Sequence, residues 1–430
     1  MFKWRQFMKG SLPMSATIAT AKIRNGPASA AAVPRDFVAF TLWVFVTFVQ
    51  FRFDELLLYP LTLYFTWSAW KNQRQIINLL RKAWILLSFP LWCLISPLWA
   101  AEPVTAFKLA LYVTLTMLIC FQAATRLSPR QIMHAVLLAT SFIVVINFLN
   151  IYGPGGNPNG IFAQKNTMGK NMVVAWVVAS AVALDPGSLR RYRWAAAGAA
   201  ALAAYTTLLS SSATAVLLLT GTGLANLFGA VILRGGVMRA GRMAALCLML
   251  GTSLGTLSLV VPYSRIDPVE KVLDAFGKDR SLTGRTGLWS YAEQQIAKEP
   301  LLGVGAGGFW RYHSSPLVKR IYEEYYKGPR DVFNFHSSFY EIAVHQGLIG
   351  LGLVILSALW ALARVFRGAL GAAAMPQIYF LSQSLAVLVR TATEADFFLP
   401  FIIFHMLFWI GALSALKISM DEWKNTPLAR

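Results

Sequence analysis

Residues 338–363 read SFYEIAVHQGLIGLGLVILSALWALA. Beyond Glu341 the stretch holds no Asp, Glu, Lys or Arg, and it is long enough for a helix to cross a hydrocarbon core about 30 Å thick. Its apolar residues run on without alternating with polar ones, which favours a helix over a barrel strand. Similar blocks recur at 37–52, 56–70, 83–100, 104–122, 132–152, 169–184, 194–209, 213–233, 243–262, 374–392 and 397–416, so about 12 spans are expected, the quoted one being the tenth. Composition agrees. Hydrophobic residues make up 56% of the chain and charged residues 13%, against about 25% charged in a soluble domain. The expected fold class is an all-α polytopic membrane protein.

Charge supplies a second, independent map. With the N-terminus inside, more than half of the 39 Lys and Arg fall in cytoplasmic segments, namely the first 36 residues, Lys71 to Lys82, Arg126 and Arg130, the RRYR run at 190–193, Arg234 to Arg242, Arg364 and Arg367, and the tail from Lys417. The short outside loops hold few, which is the positive-inside pattern. The net charge of +20 is thereby accounted for by topology and anionic cytoplasmic lipid, and no nucleic-acid partner is expected. No apolar core precedes Pro34, so residues 1–36 read as a basic cytoplasmic arm rather than a cleavable signal. Cys93, Cys120 and Cys247 all fall within expected spans and lack the spacing of a metal site. The organisation is an arm at 1–36, nine spans over 37–262, a large outside loop at 263–337, three spans over 338–416 and a cytoplasmic tail at 417–430.

The large loop has helical patterning of its own. RTGLWSYAEQQIAKEP, from Arg285, spaces Leu288, Trp289, Ala292 and Ile296 along one face, with Ser281 or Thr283 as cap and Pro300 as stop. PLVKRIYEEYYKGP, from Pro316, does the same with Leu317, Ile321 and Tyr325. Both are amphipathic, and are expected to lie on the membrane surface or to roof a cavity. Between them GVGAGG, at 303–308, matches GxGxxG in form only. A helix rather than a strand precedes it, so the glycines are read as a tight turn or as N–H donors to an anion.

The titratable residues point to anion chemistry. Arg265, just past the ninth span, and Arg285, at the start of a loop helix, are placed to hold phosphate oxygens, with Arg280 in support. Lys165 in the outside loop at 153–171 is either a further ligand or a snorkelling anchor. Glu394 and Asp396 form an ExD without a histidine at ligand spacing. A metal-free site is therefore favoured over one with a divalent cation, and no cofactor is expected. His336 stands at the outer membrane boundary, where a neutral imidazole suits a general base toward a sugar hydroxyl. His345 lies four residues after Glu341 on one helical face, and a hydrogen bond between the two is the simplest role for both. His134 and His405 read as packing residues.

These residues carry a resemblance. His336, Ser337, nine residues, Gly347, four residues and Gly352 is similar to the signature of the O-antigen ligases of Gram-negative inner membranes. That superfamily also holds O-antigen polymerases and protein O-oligosaccharyltransferases. SPLWAAEP at 96–103, GIFAQKNTMGKN at 160–171 and EPLLGVGAGGF at 299–309 resemble other blocks of the family. The resemblance implies a glycosyltransferase of GT-C-like architecture in the bacterial inner membrane, its active site on the periplasmic face. It would transfer polysaccharide from undecaprenyl pyrophosphate to lipid A–core in lipopolysaccharide biosynthesis, with inversion and without metal. His336 would be the base, and Arg265, Arg285 and Lys165 would hold the pyrophosphate. In one respect the chain departs from the family: the serine-rich turn LSSSATA at 209–215 has no arginine, leaving hydroxyls such as that of Ser211. The alternatives are a polymerase, a protein O-oligosaccharyltransferase and, more remotely, a transporter, whose polar residues would gather mid-membrane.

Overall fold

The computed structural model describes residues 33–424 apart from 50, 52, 235–284, 373 and 398. Among these it contains helices, turns and irregular segments, and no strand. The helices are α1 (Val33–Phe48), α2 (Glu55–Lys71), α3 (Gln73–Ala83), α4 (Ser88–Ile95), α5 (Pro103–Arg126), α6 (Pro129–Tyr152), α7 (Lys165–Leu184), α8 (Arg190–Leu209) and α9 (Ala213–Arg234). They continue with α10 (Arg285–Lys298), α11 (Pro316–Glu324), α12 (Ser338–Ala372), α13 (Met375–Thr393) and α14 (Ile403–Lys424). Each expected span is matched by a helix except 243–262, which lies outside the described residues together with Arg265, Arg280, Ser281 and Thr283.

The expected count of about 12 is not reached on length and composition. Among the described residues six helices qualify (α5, α6, α7, α9, α12 and α14), or seven if α3 and the segment 85–98, bent by 94°, form one span. The shortfall has simple causes. Helices α1 and α2 have only 16 and 17 residues, and α8 opens on three arginines. Polar residues occur throughout α13, yet nearly all of its side chains are buried. Neighbouring helices rather than lipid surround it, and they supply its partners. Ser382 donates to Asn226 Oδ1 at 2.8 Å, and the Asn226 amide donates to the Val177 carbonyl and to Ser180 Oγ. Gln383 donates to the Phe404 carbonyl. Polar groups satisfied in this way are tolerated where lipid exposure would be costly.

The apolar faces of α10 and α11 turn toward each other. Leu288, Tyr291, Val318, Ile321 and Tyr322 join Phe309, Phe333 and Phe335 in a small, mostly aromatic core of their own. This unit is fixed to α12 at a break in that helix. Gly347 takes φ 66° and ψ −177°, which frees backbone groups that the segment after α10 then satisfies. The N–H of Leu348 donates to the Pro300 carbonyl at 2.8 Å, and the N–H of Val304 donates to the Val344 carbonyl at 3.0 Å. A Cβ on Gly347 would lie 2.0 Å from the Leu301 carbonyl oxygen, and one on Gly303 would lie 2.6 Å from the Gly347 nitrogen. The backbones approach so closely that only glycine fits. GVGAGG is therefore a docking element: Gly305 packs on Ala100 of SPLWAAEP and its carbonyl meets His345 Nδ1 at 3.2 Å.

Candidate functional site

The backbone around His336 is held from several sides. The N–H of Phe335 donates to Glu341 Oε2 at 3.0 Å, and its carbonyl accepts from the Trp289 indole of α10 at 2.8 Å. Glu341 Oε1 accepts from the Trp310 indole at 2.8 Å and lies 3.2 Å from His345 Nε2. The expected Glu341–His345 contact is present, and the same carboxylate seats the segment entering α12. His336 itself has φ +50°, with its N–H donating to Asn334 Oδ1 at 2.9 Å. Histidine visits this left-handed region more readily than most residues, though at a cost of about 1–3 kcal/mol that the surrounding contacts must offset.

The imidazole faces the connection between α13 and α14. Its Nδ1 is buried and lies 3.5 Å from Glu394 Oε2, too long for a firm hydrogen bond but close enough for electrostatic orientation. The His336 side chain is 34% exposed, whereas those of Glu394 and Arg285 are 16% and 15% exposed. With Nδ1 turned inward, Nε2 is the nitrogen left to meet a substrate. Arg285, the first residue of α10, donates to the Thr393 carbonyl at 2.8 Å and approaches Glu394 Oε1 at 3.6 Å. It thus caps the end of α13, where the helix dipole favours a cation. Ser338 fixes the same connection, donating to the Glu394 carbonyl at 2.6 Å and accepting from the N–H of Phe397 at 3.1 Å.

Two residues further on, Asp396 organises a second cluster. Arg390 reaches Asp396 Oδ2 through Nε and a terminal nitrogen at 3.1 and 3.0 Å, and Lys170 reaches it at 3.4 Å. His405 Nε2 meets Asp396 Oδ1 at 3.0 Å. Burial pushes both carboxyls up, but the cations around them outweigh it. Glu394 is held below the ordinary carboxylate range by His336, Arg390 and Arg285, and Asp396 well below it by Arg390, His405 and Lys170. Burial also lowers Arg285, against the opposing pull of Glu394. Three basic side chains, Arg285, Arg390 and Lys170, surround two carboxylates, so basic groups outnumber acidic ones by one and the region favours an anion.

The sequence-predicted residues separate here. His336 and Arg285 converge on Glu394. Lys165, exposed at the start of α7, makes no ion pair among the described residues, and it is Lys170 that enters the cluster. Ser211, at φ +47°, is exposed in the serine-rich turn. That turn packs against Gly169, beside Lys170, where a Cβ would lie 2.9 Å from Ser210 Oγ. Ser337 is buried and its carbonyl accepts the N–H of Glu341, while the neighbouring Ser338 makes the side-chain contacts. Arg390, Lys170 and Ser338 are residues that local reading missed, and Glu394 and Asp396 show there only as an ExD with no role assigned. The ExD lacks a histidine at local spacing, yet in space each carboxylate meets one. No group of three or more His, Cys, Asp or Glu among the described residues is placed to hold a metal ion.

With the imidazole–carboxylate pair and the glycine docking in place, residues 198–355 match the family described as O-antigen ligase. The chain carries an O-antigen ligase family domain. This domain includes the serine-rich turn, α10, α11, His336 and the Gly347 break, but it ends before Glu394 and Asp396. Most of the chain is similar to the exopolysaccharide production protein ExoQ of Rhizobium meliloti (strain 1021), with 29% identity over 390 residues, covering 87% of this chain and 86% of that protein. Together with its long apolar helices, these matches point to a multi-pass membrane protein similar to members of the O-antigen ligase/polymerase superfamily.

Proposed function

We propose that this protein transfers a glycan from an undecaprenyl diphosphate carrier to a sugar hydroxyl at the periplasmic face of the inner membrane, with inversion and without a metal or cofactor. The observation that carries the reading is His336, with Nδ1 facing Glu394 and its outer edge open. The carboxylate favours the tautomer protonated at Nδ1, so Nε2 presents its lone pair. Nε2 takes the acceptor proton as the acceptor oxygen attacks the anomeric carbon opposite the α-linked diphosphate. The bond from that carbon to the phosphate oxygen breaks, and the lipid diphosphate leaves with the electron pair. Arg285 is placed to stabilise the departing charge. Arg265 and Lys165, with Arg280, Ser211 and Ser337 in support, are proposed to extend this contact, and Lys170 and Arg390 to set the surrounding potential. Glu341 acts by seating the backbone before His336.

For the acceptor, the full-length likeness to an exopolysaccharide production protein supports polymerisation, in which a growing lipid-linked chain receives the next glycan. The O-antigen ligase domain supports a second reading, ligation to lipid A–core. Purified protein in nanodiscs, given lipid-linked glycan with or without lipid A–core and with EDTA throughout, separates the two. A ladder on the carrier lipid alone supports polymerisation, and product on lipid A–core alone supports ligation. If neither forms with EDTA but one forms on adding Mg2+, the metal-free mechanism is wrong.

A further inference from the structure

Where SPLWAAEP, the segment after α10 and the Gly347 break meet, large apolar side chains face outward together. Leu98 is 83% exposed and Leu301 59%, and Leu302, Leu348 and Ile349 are also exposed. Backbone contacts bring them onto one surface. The Trp99 indole donates to the Leu302 carbonyl at 3.1 Å, and the N–H groups of Leu348 and Ile349 donate to the carbonyls of Pro300 and Leu301. A contiguous apolar patch of this kind marks an interaction surface.

The patch continues into the outward faces of two helices that border it. Along one, Leu91, Ile95 and Leu98 follow at helical spacing; along α12, Ile355, Leu356 and Leu359 lead away from Leu348 and Ile349. All six are exposed, and α12 is long and apolar enough to span a bilayer. Charged residues border the other side: Glu102, Lys298 and Glu299 are exposed at the ends of the segments that carry the leucines. Apolar side chains continuous with a spanning face, rimmed by charge, are the pattern of an interfacial membrane anchor. We infer that Leu98, Leu301 and Leu302 insert into the acyl region of the outer leaflet, so that the α10–α11 unit is anchored in the membrane as well as tethered by its chain ends. From Gly347 back to Ser338 the helix is about 14 Å long, and His336 lies two residues further on, so this anchor keeps His336 within about 21 Å of the Gly347 break.

Photo-crosslinking tests the inference. Leu98→p-benzoylphenylalanine and Leu301→p-benzoylphenylalanine are placed in full-length protein in phosphatidylethanolamine–phosphatidylglycerol nanodiscs, with Val332→p-benzoylphenylalanine, at a position 95% exposed on the same loop unit, as the comparison. Mass spectrometry is expected to find phospholipid adducts at positions 98 and 301 and at least a tenfold smaller yield at 332. Cross-links to a second copy of the chain, or lipid yields at 98 and 301 no higher than at 332, would overturn it. Leu302→p-benzoylphenylalanine replaces either variant that does not elute as a folded protein.

Discussion

His336 and Glu394 are 58 residues apart in sequence, yet His336 Nδ1 lies 3.5 Å from Glu394 Oε2. Ser338 closes that distance by holding the connection between α13 and α14 against the start of α12. The pair is loose, so Glu394 is read as an orienting group rather than as a proton acceptor.

That distinction predicts unequal losses. His336→Ala removes the base and should lower kcat by about 10²- to 10⁴-fold. Glu394→Gln keeps the shape but loses the charge, and should cost about 10- to 100-fold, chiefly in kcat, less than the roughly 10⁴-fold of a tightly bonded triad. Steady-state transfer with purified lipid-linked glycan checks both. Equal losses in the two variants would assign Glu394 a direct part in the chemistry.

Gly347 and Gly352 both belong to the sequence signature, but only one meets a close neighbour. Gly347 combines positive φ with a backbone oxygen where a Cβ would go, whereas nothing lies within 4 Å of a Cβ on Gly352. Gly347→Ala should destabilise by about 3 kcal/mol and lower the melting temperature in detergent by several degrees. Gly352→Ala should leave it within a degree or two, since alanine in a helix is if anything favourable.

Much of this was legible before any coordinates. Continuous apolar blocks located the helices, because bilayer thickness acts on local composition. The helices from Arg285 and Pro316 showed in their spacing, and Glu341–His345 is an i,i+4 contact that any helix makes. Helix α13 shows where composition fails: its polar residues suit an enclosed helix, and enclosure depends on neighbours that no local window contains. The same limit hid the partners of Glu394 and Asp396. Their histidines come from α14 and from the entry to α12, and nothing in TATEADFF announces either. Lys165 drew notice by its place in an outside loop, but helical geometry brings Lys170 into the cluster instead.

Ser337 and Ser338 are neighbours with different work. Ser338→Ala removes the donor to the Glu394 carbonyl and the acceptor for the N–H of Phe397, and leaves both buried groups short of a partner. The expected cost is about 1–3 kcal/mol, with a drop in kcat as Glu394 drifts from His336. Ser337→Ala keeps the backbone carbonyl that accepts from Glu341 and should leave stability unchanged, with a smaller drop in kcat than Ser338→Ala because its part in the diphosphate contact is only a supporting one. Melting curves and transfer rates for the two variants, measured side by side, check the contrast.

Acid should act through Asp396. Its carboxyl is held well below the ordinary range by Arg390, His405 and Lys170, although burial opposes them. A carboxylate depressed in the folded state contributes stability that is fully present above its unfolded value and is lost as pH falls through the folded one. Stability from this cluster should therefore be flat above about pH 5 and decline progressively below about pH 4. Glu394, depressed by His336, Arg390 and Arg285 against its own burial, adds to the same slope. Asp396→Asn leaves Arg390 and Lys170 buried without their counter-charge, which should cost about 3–5 kcal/mol at neutral pH. It should also flatten the decline in acid, because the group whose protonation drives it is gone. Melting temperatures of both proteins in detergent from pH 3 to 8 test this, and a parallel decline in the two would assign the acid sensitivity to other groups.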